Sequence, residues 1–181
     1  EPTPYILYIR NNKMSIVSCF VYNKNMKTLS TRTCQNLDEQ GYTFLSQEEK
    51  SKLNIALRIT PILCIVVVIF GIYLQDWRIF AGLTVFGILG AATTRWQPFD
   101  VLYNFALRYV LKSPQLPSSP VQKRFACGVG AAFLIGATVM FYLGALTWGY
   151  VFGALYIGAA GLMALMHFCI ASWFYNRVLK R

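Results

Sequence analysis

The stretch ITPILCIVVVIFGIYL, residues 59–74, contains no charged side chain. A helix made of it, extended by the apolar residues just before it, approaches the roughly 30 Å of a hydrocarbon core at about 1.5 Å per residue. Residues 79–94, 125–143 and 148–173 share this character. With some tilt or local thinning, each can cross a bilayer. The predicted spans are therefore about 55–74, 78–94, 122–143 and 147–174. The expected fold is all-α: an integral membrane four-helix bundle built as two helical hairpins. Composition agrees, because 56% of the 181 residues are hydrophobic, 15% aromatic and only 13% charged, too apolar for a soluble domain of this size.

Threading the four stretches as two hairpins puts sixteen of the seventeen Lys and Arg residues on one side. Eight lie at or before Arg58. Five (Arg95, Arg108, Lys112, Lys123 and Arg124) lie between the second and third spans, and three at the C-terminus. Arg78 alone falls in an outer turn, beside Asp76. Basic residues accumulate on the cytoplasmic side of short loops, so both termini are expected there. The net charge of +10 then serves topology and anionic lipid headgroups. A lipid bilayer is the expected environment, and nucleic acid is not an expected partner.

Local signals place the elements along the chain. Residues 1–45 show no sustained period and are expected to be poorly structured, although 5–10 and 15–22 have strand-like apolar content. No cleavable signal peptide is visible, so the first span should remain as an anchor. Met26-Lys27-Thr28-Leu29 reads like a translation start, so residues 1–25 are expected to be an upstream extension or a processed remnant. Ser46-Gln47-Glu48-Glu49 is a capping-box pattern that should open a helix running through Arg58 into the first span. Pro61 within it predicts a mild kink. After Trp96-Gln97-Pro98, residues 98–112 carry Phe99, Leu102, Tyr103, Ala106, Tyr109 and Val110 along one helical face, with Asp100, Asn104, Arg108 and Lys112 on much of the rest. That pattern predicts an interfacial amphipathic helix between spans two and three, lying in the headgroup plane or packed on the ends of the spans. Ser119-Pro120-Val121-Gln122 then suits the start of the third span.

Candidate functional residues are few. The small residues Gly128, Gly149 and Gly153 suit helix packing, and Gly149-x-x-x-Gly153 lets backbones approach closely. Arg58, Arg95 and Arg124 sit near the basic boundary, where they can meet headgroups or bind a ligand. His167 is the only histidine in the chain and lies near the end of the fourth span, two residues before Cys169. That spacing puts the two side chains on different faces, so a shared site would need other helices. Cys127 and Cys169 are expected at similar depth, with Cys64 deeper in the first span. The five cysteines form no Cys-x-x-Cys and no zinc-like spacing, so no disulfide framework or structural metal is indicated, and no cofactor is identified. No Ser-His-Asp arrangement, phosphate-binding glycine loop or paired catalytic carboxylates occur.

Several motifs together resemble the bacterial membrane family DUF4395. They are Lys52-Leu53-Asn54 opening the first span, Pro98-Phe99 with Leu102-Tyr103, Arg124-Phe125-Ala126 with Gly128 and Gly130, and Phe168-Cys169 with Tyr175 nearby. The resemblance covers about residues 52–175. It implies a four-span protein of the bacterial inner membrane with a C-terminal Cys-x-x-Cys that hints at thiol or sulfur chemistry. This chain has Ser172 where the second cysteine would stand.

The leading expectation is a non-enzymatic accessory or assembly subunit bound to other membrane protein subunits of a larger complex. It rests on abundant packing residues and the lack of a catalytic constellation. A membrane thiol-redox or sulfur-handling component using Cys169 with Cys127 or Cys64 is the alternative. Transport or binding of a lipid or small molecule near Arg58, Arg95 and His167 is the third.

Overall fold

The computed structural model describes residues 8–10, 13–15, 30–111 and 115–179. The translation-start reading at Met26 lies outside the described residues. A short antiparallel pair, β1 (Tyr8–Arg10) and β2 (Lys13–Ser15), sets Ile9 opposite Met14. The other regular elements among the described residues are helical. Helix α1 (Thr31–Glu39) precedes α2 (Gln47–Leu74), α3 (Trp77–Ala92) and α4 (Pro98–Leu102). Helix α4 runs on through a π turn, Tyr103–Leu107, into α5 (Arg108–Leu111). Helices α6 (Val121–Tyr142), α7 (Leu146–Met166) and α8 (Ile170–Phe174) complete the chain, with a second π turn at Tyr175–Leu179.

Three helices are long and apolar enough to cross a membrane: α2, α6 and α7. Helix α3 is equally apolar but has 16 residues, about 24 Å of helix, so it spans only a thinned or locally deformed core. Large apolar side chains cover the outward faces, among them Val66, Ile69 and Phe70 on α2, Ile88 on α3 and Leu155 on α7. Lipid tails are the solvent that such faces fit.

The capping box opens α2: Ser46 Oγ accepts from the Glu49 amide, and the Glu49 carboxylate accepts from the Ser46 amide at 2.8 Å. Pro61 is buried and α2 continues through it. The helix ends where Gln75 turns left-handed at φ 54°, and Asp76 caps α3 by accepting from the Arg78 amide at 2.9 Å.

Helix α3 packs chiefly on α6, α6 on α7, and α7 on α2. Val68, Phe80, Leu83, Leu134, Ala137 and Phe141 form the core between them, with the Phe80 and Phe141 rings stacked at 4.8 Å. Two glycines of α7 take large neighbours. A Cβ on Gly149 would sit 2.9 Å from the Phe141 ring, and one on Gly153 would sit 2.8 Å from Ile72 Cδ1. Gly128 is looser, with only Ala91 at 3.7 Å.

Three expectations need correction. Residues 31–39 form α1, where the sequence predicts no regular structure. The tertiary contacts of that helix outweigh its weak local pattern: Leu37 and Tyr42 enter a second core with Leu53, Ala56, Leu57, Tyr103 and Leu116, and Lys50 pairs with Asp38 at 2.5 Å. The fourth span does not run unbroken from 147 to 174. It stops at Met166, because His167 adopts φ 54° and Cys169 is extended. The carbonyls freed at this break are satisfied from α1: Asn36 Nδ2 donates to Met166 O at 2.8 Å and Gln40 Nε2 to His167 O at 2.5 Å. Finally, the inward face of 98–111 is only partly the aromatic face read by simple periodicity. Tyr103 of that face is buried, but Asp100 from the polar face is buried too, and Leu102 and Tyr109 are exposed. The π turn shifts the angular progression after Leu102, which moves Tyr109 off the face that a 3.6-residue projection gives it.

Candidate functional site

A cavity of about 880 Å³ opens between α2, α3, α6, α7 and α8. Helix α2 contributes Thr60 and Cys64, α3 contributes Phe86 and Gly87, α6 contributes Lys123, Cys127 and Leu134, and α7 contributes Tyr156 and Met163. Gln97, Phe99 and Cys169 close one end. The wall is almost wholly carbon and sulfur, and the size is that of a pocket for a drug-sized or lipid-like molecule.

The free thiols of Cys64, Cys127 and Cys169 all line this cavity. Cys34, outside it, is disulfide-bonded, a cross-link that cysteine spacing did not indicate. Ser172 is 1% exposed and donates to the Gln122 carbonyl at 3.3 Å, so the position of the missing second cysteine faces α6. Among the described residues, no group of three His, Cys, Asp or Glu side chains is placed to hold a metal ion.

Next to the cavity lies a buried polar network that sequence reasoning missed. Lys123 Nζ donates to Asp100 Oδ2 at 2.5 Å, with side chains only 6% and 9% exposed. The same carboxylate accepts from Thr60 Oγ1 at 2.8 Å and from Ser119 Oγ at 3.3 Å. Four elements thus meet on one carboxylate: α2, α4, the segment before α6, and α6. An ion pair so far from water survives only when nearly every lone pair is satisfied. Charge patterning alone assigned Asp100 to the solvent face and Lys123 to the headgroups. The available signal was that Asp100 is the only acid between Asp76 and the C-terminus.

The other candidate residues separate from the cavity. Arg124 spans the gap from α6 to α3, donating from Nε to Ala91 O and from a terminal nitrogen to Ala92 O, both at 2.9 Å. It caps α3 by meeting carbonyls that have no intrahelical partner. Arg95 is exposed. Arg58 donates to Asn54 Oδ1 at 3.3 Å.

His167 is 2% exposed and lies just past the end of α7, its ring against the Asn54 carbonyl. Desolvation first, then the Arg58 guanidinium, depresses its pKa to about 4, against a weaker upward pull from the Asn54 carbonyl. The folded state therefore keeps His167 neutral, while the unfolded chain protonates below about 6.5. Stability should be complete above pH 6.5 and fall as the pH drops from 6.5 towards 4. Thermal unfolding in detergent at stepped pH checks this: His167→Asn, which tolerates the left-handed backbone, should flatten the decline. An unchanged slope in the variant would assign the decline to other groups.

A family model described as domain of unknown function (DUF4395) matches residues 54–180. No curated protein and no solved structure matches the chain.

Proposed function

The chain belongs to the DUF4395 family, and on that footing we propose a multi-pass protein of the bacterial inner membrane that holds an apolar small molecule or lipid among its helices. In this reading α2, α3, α6 and α7 span the bilayer as a four-helix bundle of two hairpins with both termini cytoplasmic. The sixteen-to-one charge asymmetry supports the orientation. The disulfide at Cys34 pulls the other way, because disulfides persist in oxidising compartments. We give the sixteen charges more weight, since they fall at the same end of all four spans.

The observation that carries the binding reading is the cavity of about 880 Å³. The recess is partly open to the outer face, where the lining residues Leu155, Ile170 and Phe174 are exposed, and an apolar surface of this size and shape suits a lipid chain or another apolar molecule. Native mass spectrometry of the protein, extracted in mild detergent, should show one retained apolar molecule per chain. Enlarging Gly87 to Leu, where Ala131 leaves little room, should reduce its retention. A chain that is always recovered bare would contradict the reading.

Two other roles keep specific support. The accessory-subunit reading is favoured by Gly82 and Gly161, which meet nothing within 4 Å and leave flat positions where helices of other membrane subunits can pack. Co-migrating partners in native purification would favour it over a lone carrier. The thiol-redox reading is favoured by the three free thiols that line one cavity. Labelling with and without oxidant decides that case, since cysteines of unchanging reactivity would remove it.

A further inference from the structure

We infer that the end of the cavity where Gln97 lies beside Cys127 receives an uncharged hydroxyl group carried by an apolar molecule. The inference rests on the cavity being a binding site and names the head group that the site takes. Gln97 is 7% exposed and lines the cavity, and its Oε1 is buried without a hydrogen-bond partner. Native proteins rarely leave a buried amide oxygen unpaired, because its lost hydration goes uncompensated. An amide oxygen accepts, so the group that completes it must donate.

Local geometry sets the amide beside the Cys127 thiol. Gly90 has no side chain, and the position its Cβ would take lies 3.2 Å from Gln97 Cγ and 3.3 Å from Cys127 Sγ. The amide and the thiol therefore converge on one spot at the end of α3. Charge then selects the head. Lys123 is the only cationic residue on the cavity wall, and Asp100 neutralises it at 2.5 Å. Arg124, next in sequence, has its guanidinium on the Ala91 and Ala92 carbonyls. Among the described residues, no uncommitted cation faces the cavity, so a carboxylate or phosphate would enter without compensation, and desolvating it is costly. A hydroxyl can donate to Gln97 Oε1 and stay neutral. Phe86, Phe99 and Leu134 on the remaining wall suit an apolar body, so the ligand class is a long-chain alcohol or an alkylated phenol.

The test uses the full chain in phosphatidylcholine nanodiscs. The rate at which N-ethylmaleimide alkylates Cys127 is read by peptide mass spectrometry with dodecane, dodecanoate at pH 8, 1-dodecanol or 4-dodecylphenol at matched membrane concentration. The alcohol or the phenol should slow alkylation about five- to tenfold more than dodecane or dodecanoate, the scale of one buried hydrogen bond. Whichever protects better tells a chain alcohol from a ring phenol. Gln97→Met should reduce protection to the dodecane level. If Cys127 is unreactive even without a probe, the unfolding midpoints of the same samples carry the comparison. If Gln97→Met does not fold, the four probes on the native chain decide alone. Equal protection by all four overturns the head-group assignment and leaves cavity binding standing. Protection by none overturns both.

Discussion

Replacing Lys123 with Met is expected to destabilise the protein by about 3–5 kcal/mol, because it strands the Asp100 carboxylate in a site with almost no water. Asp100 is 6% exposed and would retain only Thr60 and Ser119 as donors. The pairing can be separated from the methylene stem of Lys123 by the double variant Lys123→Met with Asp100→Asn. That change removes both charges while keeping an acceptor for Thr60. Most of the lost stability should return, since replacing a buried pair by neutral groups is often nearly free, whereas breaking it is not. Reversible unfolding in mixed micelles measures both. A single variant within about 1 kcal/mol of the parent would mean that water reaches the pair.

Phe141→Ala is expected to cost about 3 kcal/mol, the low end for a buried aromatic. The ring stacks on Phe80 at 4.8 Å, meets Tyr150 edge-on at 5.6 Å and lies over Gly149. In a bilayer the transfer term shrinks, because lipid tails are as apolar as the core, and the loss comes from contacts and the void left behind. Val139→Ala is the matched control. Val139 is on the same helix and 42% exposed, so its change should stay within about 0.5 kcal/mol. Equal costs at the two positions would show that the face carrying Phe141 is turned to lipid.

Apolar run length made the helices legible. Residues 59–74 announced α2, and the Ser46 box and the Asp76 turn marked the starts of α2 and α3. Signals that depend on partners distant in sequence stayed hidden. Helix α1 is held by Tyr103, Leu53 and Leu57, and it returns hydrogen bonds to the end of α7 some 130 residues away. Nothing local in 31–39 encodes those contacts. His167 read as part of the last turns of the fourth span because the hydropathy around it continues; in the structure its backbone is left-handed and Asn36 and Gln40 cap the carbonyls beside it.

The candidate site was half legible. Cys64, Cys127 and Cys169 were singled out for their chemistry, and α2, α6 and the extended turn before α8 bring them to the lining of one cavity. Gln97 read only as part of a chain break and Lys123 only as a headgroup contact. Their burial depends on α4 folding under α2 and α6, which puts Asp100 within reach of Lys123 and Thr60. A lone carboxylate in an amphipathic stretch gives no sign of that from its spacing. The π turn at Tyr103–Leu107 also displaced the apparent faces of the helix that carries it.

Whether the cavity holds an apolar molecule is tested most directly by a crystal structure of the full chain grown from a lipidic mesophase. The expected result is continuous density for one elongated molecule between α3, α6 and α7, its polar end within hydrogen-bonding distance of Gln97. A cavity filled by repacked Phe86, Phe99 and Leu134 side chains, with no room for a guest, would contradict it.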